Sequence, residues 1–561
     1  MSYGGPLTGS DINRYFVYNT LGFYAQDDYR ITPRFTVNMG LRYEFMTTPR
    51  EAEGRQYAIQ NLTTDSTVLS GGELAAWTPG PVMQNKTYWN FSPRFGFAWD
   101  VFGDGKTAIR GGGGIYYDVG NLGGAFVNEA DGSYPAILGT FTNPTNAVVT
   151  FPITPPTVAS VLSSNFANSV VTADYSAGQP YNIQYNLTIQ RQLARNTAIS
   201  VAYVGSRGVH LWQQLEGNPT IPTAVVSAVQ YWSDSVPLCQ SGTIPTCRIN
   251  PNFGSVNTNN TVGVSHYDSL QVVVTKRLSG GLEAQGAYTY GHSLDTPMGQ
   301  LVGADCEGAP GMDTGVSSNT RANDYGPSCF DVRHNFHMSL LYHFPNLKSN
   351  GVLSKIADGW WMGSIVSLQT GLPFTPILAI NRSNSGNLNN MPDRVDINNQ
   401  AIAQGIVLTN AEGGTYTAAA NFIPYNPKTV ITGNPNQWFN PNMFHMEPMV
   451  PCPNNAALTC GTLGDATRGV LRGPGLGDWD FSLAKDTAVS LLGEQGAVQF
   501  RAEIFNILNH TNFGMPASAT VFNGATSVLG AYQQAPLAGV GQITTTVTTS
   551  RQIQFALKLI F

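Results

Sequence analysis

Six cysteines are the residues of this chain best suited to covalent or metal chemistry, and they fall in three couples: Cys239 and Cys247, Cys306 and Cys329, Cys452 and Cys460. Six allow 15 pairings. Joining each couple locally is the simplest geometrically and predicts three disulfides formed in an oxidising compartment. A zinc site is the weaker reading, because the spacing from Cys239 to Cys247 lacks the two to four intervening residues of zinc motifs. Free thiols are the third reading. His334, His337 and His343 share one predicted strand, where the two-residue period sets His334 on the face opposite the other two, so the three do not converge on a metal. The run Gly111-Gly-Gly-Gly114 lacks the Lys-Ser/Thr and the following helix of a phosphate-binding loop, and reads as a bent strand. Neither a Gly-x-Ser-x-Gly elbow nor a His-Glu-x-x-His pair occurs. The sequence therefore predicts no enzyme, no cofactor and no metal.

Composition sets the elements that carry these residues. Of 561 residues only 11% are charged, against about 25% in soluble domains. Gly (60) and Pro (34) are too frequent for a mainly helical protein, and 42% hydrophobic residues exclude a wholly disordered one. A net charge of -6 offers no basic excess to phosphate backbones, so nucleic acid is not an expected partner. No apolar run approaches the roughly 18 residues of a membrane-spanning helix. Spanning strands, by contrast, betray themselves only by alternation. The stretch from Met1 to Ser10 has neither the basic nor the apolar region of an export signal.

Alternation recurs along the chain. Phe35, Val37, Met39, Leu41 and Tyr43 share one face, and residues 181–192 and 552–561 repeat the pattern. Weaker members lie at 14–30, 91–101, 106–118, 197–205, 266–277, 282–292, 332–344, 359–371, 478–486 and 496–508. That gives about thirteen strands, most near the 9–11 residues that cross an outer membrane. Tight or short turns at 31–34, 102–106, 193–196, 278–281, 345–358 and 487–495 alternate with long polar stretches at 46–88, 119–178, 206–262, 293–330, 372–477 and 510–546. This alternation puts every long loop at one end. It predicts an all-β, antiparallel transmembrane barrel with short periplasmic turns and long extracellular loops.

Charges orient the strands. Arg42 and Glu44, Arg94 and Asp100, Arg110 and Asp118, and Arg501 and Glu503 have the parity opposite to the bulky apolar residues and are expected to face the lumen. There they form a cross-strand salt-bridge lattice or touch a plug or an anionic ligand. Asp27, Arg191, Lys276, Lys485 and Arg551 have the lipid-facing parity and are expected near strand ends. Tyr88, Trp89, Tyr116, Tyr117, Tyr288, Tyr290, Trp360, Trp361 and Trp479 read as interfacial girdles, or simply as aromatics that favour strands.

The chain closes on Phe561, and an aromatic terminal strand resembles the signal read by the bacterial barrel assembly machinery. Longer motifs extend the resemblance: Gly22-Phe-Tyr-Ala-Gln-Asp-Asp28, Thr32-Pro-Arg-Phe-Thr-Val-Asn-Met-Gly-Leu-Arg-Tyr-Glu44, Phe91-Ser-Pro-Arg-Phe-Gly-Phe-Ala-Trp-Asp100, Arg472-Gly-Pro-Gly475 leading to Asp480-Phe-Ser-Leu483, and Gln499-Phe-Arg-Ala-Glu-Ile-Phe-Asn506. In this order they resemble TonB-dependent receptors of the outer membrane, in particular the Oar-like branch. The resemblance implies a plugged barrel of about 22 strands, ligand capture by extracellular loops, and energy coupling through TonB. In that family the plug precedes the barrel, and nothing here matches it. Residues 1–561 are thus expected to be the C-terminal part of the barrel domain, with signal peptide, plug and first strands absent. Implied partners are outer-membrane lipid, the assembly machinery, and TonB through the missing plug. A free-standing, passive porin-like barrel and a secreted β-rich binding or adhesion protein are the competing readings. Trp212, Tyr231 and Trp232 are loop residues that either meet a ligand or pack the loops.

Overall fold

A computed structural model describes the chain apart from residues 1, 7–12, 62–77, 120–137, 143–169, 228, 234–247, 251–255, 297–323, 347–355, 387–391, 398–407, 410–414, 417–422, 448, 490–495, 525–534 and 561. Its framework is one antiparallel meander: β1 (Thr20–Thr32), β2 (Phe35–Met46), β3 (Phe91–Asp100), β4 (Thr107–Tyr117), β5 (Tyr181–Ala194), β6 (Thr197–Glu216), β7 (Val256–Ser279), β8 (Leu282–Asp295), β9 (His334–His343), β10 (Trp360–Gln369), β11 (Leu476–Ala488), β12 (Ala497–Phe505) and β13 (Gln552–Ile560). Each strand pairs with the next in sequence, and β1 and β13 do not pair with each other. All residues of β1 are exposed.

The expected strands correspond to β1–β13, and the long connections leave from one end. Three expectations need correction. The first strand begins at Thr20, since Phe16–Val17 pairs separately with Arg50–Glu51. β6 and β7 reach 20 and 24 residues, well past 197–205 and 266–277. Beyond the bilayer a ladder needs no apolar alternation: Gln213, Gln214, Asn259 and Asn260 are buried there, and Gln214 Nε2 donates to Asn259 Oδ1 at 3.3 Å. Asp27 was placed near a strand end, but β1 continues to Thr32, so Asp27 lies inside the strand opposite Met39.

Register joins the apolar residues into one outer surface. Met39 opposes Phe95, Leu187 opposes Tyr203, Tyr203 opposes Leu270, Phe336 opposes Leu368, and Ile504 opposes Ile553. Met39, Phe95, Leu187, Tyr203, Leu270 and Leu368 are all exposed, a surface that suits acyl chains rather than water. Alternate glycines of the β4 run belong to this face: Gly111 and Gly113 oppose Phe97 and Phe95. A Cβ at Gly111 would sit 2.6 Å from the Phe97 ring, so the missing side chains make room for the aromatic ones.

Neighbouring aromatics cannot share a face. Tyr117 opposes Tyr181 on the outer surface, whereas Tyr116 opposes Asn182 and turns inward beneath the Arg94 guanidinium, 4.6 Å from its ring centroid. Trp361 likewise faces inward, donating to Asp486 Oδ2 at 3.0 Å with Arg501 over its ring. Tyr288 and Tyr290 lie inside β8, which runs on to Asp295. The girdle reading thus fits Tyr117, Trp360 and Trp479 but not the inward members. Lys485 meets the expectation for strand ends, with Nζ donating to Asp358 O at 2.6 Å and lying over the Trp360 ring.

Cys452 and Cys460 form a disulfide. Cys329 is also disulfide-bonded, and its partner is outside the described residues, as are Cys239, Cys247, Cys306 and Phe561. The two faces make opposite demands on a new charge. Leu270→Arg is expected to lower folding stability in lipid vesicles by about 2–4 kcal/mol while Gln271→Arg, one residue away on the inner face, costs little. Denaturant titration of vesicle-inserted protein, read by the change in gel mobility between folded and unfolded barrels, checks the difference.

Candidate functional site

Among the described residues, the long loops carry a larger apolar core than the cluster around Met46 and Val82. Phe374, Leu378, Val395, Phe439, Phe444, Met446 and Leu471, from the β10–β11 connection, pack with Val521, Phe522 and Val540, from the β12–β13 connection. The polar composition of these loops hid that core, because its residues follow no strand or helix period. The described parts of these two loops therefore share one packed core and form a cap at the end of the sheet from which they leave.

Buried arginines bind the loops to one another and, through Arg468, to a strand end. Arg382, Arg394 and Arg468 head the fully buried large side chains. Arg468 Nη1 donates to Asp295 O at 2.6 Å and pairs with the Asp295 carboxylate at the end of β8. Arg394 Nη2 lies 2.9 Å from Asp324 Oδ1, and Arg248 Nη1 lies 3.3 Å from Glu216 Oε1 at the end of β6. Asp331 is the central anchor. Its carboxylate accepts from Ser293 N at 2.7 Å, from Arg333 Nε at 3.2 Å and from Arg472, and faces His292 Nδ1 at 3.3 Å. Burial alone would raise the Asp331 carboxyl, but the Ser293 N–H, Arg472 and His292 together hold it below the usual range. One carboxylate thus joins β8, the approach to β9 and the approach to β11. Arg472-Gly-Pro-Gly475 was legible as a motif, yet its partner 141 residues away was not.

A second buried group sits inside the cap. Asp393 accepts from Ser383 N at 2.5 Å and Ser383 Oγ at 2.9 Å, and burial pushes its carboxyl up to about 7 against those bonds. Glu447 is raised by burial and by the charge of Asp465, while Arg382 Nε donates to Glu447 O at 2.9 Å. Trp232 is buried, with Nε1 donating to Thr220 O at 3.3 Å, and Trp212 packs on the cluster around Met46 and Val82. Tyr231 pairs with Ala224 in a short hairpin. Trp212 thus lies within β6 and not in a loop, whereas Tyr231 and Trp232 belong to the β6–β7 connection. Of the loop 119–178, only its two ends and one short strand lie within the described residues.

On the inner face the expected lattice reduces to two pairs. Arg42 Nη2 lies 2.5 Å from Glu44 Oε1, and Arg501 Nη2 lies 3.1 Å from Glu503 Oε1. Arg94 stacks on Tyr116 rather than pairing, and Asp100 caps the β3–β4 turn by accepting from Gly103 N and Gly105 N. Asp118 follows β4 and its N–H donates to Pro180 O. Glu283, Asp480, Arg501 and Glu503 line an inner cavity of about 500 Å³. His337 meets Ser367 Oγ at 3.1 Å and His334 meets the Tyr288 hydroxyl at 2.8 Å, on opposite faces of β9.

A sheet with an apolar outside, a charged inside and all long loops at one end matches a known domain model. The outer membrane beta barrel domain aligns with residues 7–554. The chain belongs to this family. The barrel is accordingly a protein of the bacterial outer membrane, its short turns periplasmic and its cap extracellular. Among solved structures it is similar to the outer membrane transporter YddB from Escherichia coli, with 11% identity, a TM-score of 0.44, and coverage of 97% of this chain and 45% of that one. The ferric enterobactin receptor PfeA of Pseudomonas aeruginosa gives 9%, 0.40, 96% and 44%. The FrpB iron transporter of Neisseria meningitidis gives 9%, 0.37, 97% and 46%. The barrel spans less than half the length of these chains. No curated protein matches by sequence.

Two outcomes are expected from the cap. A raised carboxyl stabilises the fold while protonated, so the contribution of Asp393 is complete below about pH 4 and is lost as pH rises through about 7. Limited proteolysis of the cap is expected to speed up from pH 5 to pH 8, and Asp393→Asn should flatten that dependence. Asp331→Ala, which takes the carboxylate from Arg472 and leaves the Ser293 N–H without its acceptor, is expected to cost about 1–3 kcal/mol of local stability, measured by hydrogen exchange in residues 471–475.

Proposed function

We propose that this chain is the barrel portion of a TonB-dependent outer-membrane receptor, with the cap as its ligand-binding surface and the inner face as pore wall. The observation that carries this reading is the cap itself: extracellular loops with a common apolar core, fastened to the end of β8 by the buried Arg468–Asp295 pair and to the approach to β9 by Arg472 on the buried Asp331. A passive pore needs no such surface, whereas a receptor needs one whose side chains hold their positions before a ligand arrives. The sequence motifs from Gly22 to Asn506 support the same family. Two features support membership of a larger barrel. Closing these thirteen strands would set β1 and β13 parallel across the seam of an otherwise antiparallel barrel, and among the described residues each keeps an unpaired edge. The plug, the remaining strands and the TonB contact then belong to a longer product. The ferric siderophore and iron named for two similar structures supply the first ligands to screen.

The test does not require the ligand. The product of the complete gene, purified from outer membranes, is expected to bind the isolated periplasmic domain of TonB saturably and to leave planar bilayers electrically silent. Failure to bind TonB together with steady ion conductance would instead identify a passive barrel and overturn the proposal.

A further inference from the structure

One inner-face cavity is not explained by wall, cap or coupling. Beside the periplasmic turns, about 630 Å³ of space is lined by Lys106, Arg110, Arg191, Arg195 and Arg277, and by no Asp or Glu. Two of the five cations are already engaged. Lys106 Nζ lies 3.8 Å from Asp104, and Arg191 Nη1 donates to Thr107 Oγ1 with its guanidinium over the Phe102 ring. The guanidiniums of Arg110, Arg195 and Arg277 have no hydrogen-bond or ion-pair partner among the described residues.

That contrasts with Arg42 and Arg501, which carry their own glutamates, and with Arg94, which stacks on Tyr116. Register puts Arg110 on the inner face, opposite Ala98 and Thr188, and Arg277 shares the parity of Gln271 and Thr275. None of the other lining groups is charged: Gln190, Gln192, Ser200 and Thr275 add donors, and Ile199 and Val273 are apolar. Cations gathered against a wall of low dielectric repel one another unless an anion enters. Planar guanidinium forks match the oxygens of phosphate.

We propose that this cavity binds a multiply charged, phosphate-bearing anion at the periplasmic end of the lumen. The inference does not depend on energy-coupled uptake, since the cavity is built by β4–β7 and their turns alone. A soluble phosphate and the headgroup of an inner-leaflet anionic phospholipid share this chemistry, and the outward parity of Arg191 makes the second reachable from lipid.

The product of the complete gene, in phosphatidylcholine nanodiscs, is titrated with inorganic pyrophosphate by calorimetry, at low and at physiological ionic strength. Saturable binding that weakens with salt is expected, with affinity lowered about tenfold or more, roughly 1.4 kcal/mol per decade, in Arg110→Gln/Arg195→Gln/Arg277→Gln. Arg30→Gln, at the β1–β2 turn outside the cavity, should bind as the parent does. Gel mobility of unheated samples verifies folding, and if the triple variant does not fold, Arg277→Gln alone is expected to lose affinity severalfold. Repeating the titration in discs containing phosphatidylglycerol separates the sources: competition assigns the site to a headgroup, undiminished binding to a solute. Absence of saturable heat in the neutral discs, or parental affinity in the folded arginine variants, overturns the proposal.

Discussion

A strand in hydrocarbon must satisfy every backbone N–H and C=O through its neighbours, because no water is there to do it. Everything else in this barrel follows from that demand. It forces a continuous ladder from β1 to β13, and the ladder then fixes which side chains share a face. Once Met39 stands opposite Phe95, and Leu187 opposite Tyr203, the intervening residues have no choice but the other side. The charged inner wall is thus a product of the same pairing that makes the outside apolar, not a separate design.

The wall was legible in the sequence for that reason. Lipid on one side and water on the other impose a two-residue period that survives in any stretch long enough to cross, as in residues 35–44 and 181–192. The same logic marks its own limits. Above the bilayer both faces of β6 and β7 meet protein or water, so the period lapses around Gln213 and Asn259 although pairing continues. At the rims, adjacent aromatics such as Tyr116 and Tyr117 look alike in sequence, yet only one can face outward.

The cap was not legible, and the reason is physical. Its core residues, among them Phe374, Phe439, Phe444 and Val521, are buried by irregular backbone that imposes no spacing on them. Its ion pairs join Arg468 to Asp295 and Arg472 to Asp331 across 173 and 141 residues, and no local composition announces such partners. A buried arginine is intelligible only when its acceptor is in view. The disulfide between Cys452 and Cys460 was the accessible part, because a short closure depends on little besides separation along the chain.

Those distant pairs also order events in time. Asp295 terminates β8 and Arg468 precedes β11, so the clasp between them has no fixed geometry until the strands between have been threaded into the membrane side by side. The crown of loops therefore consolidates last, and on a foundation already laid. A chain stalled halfway through insertion would display slack, unfinished connections to the exterior, which gives a quality-control protease a simple way to tell an incomplete barrel from a finished one.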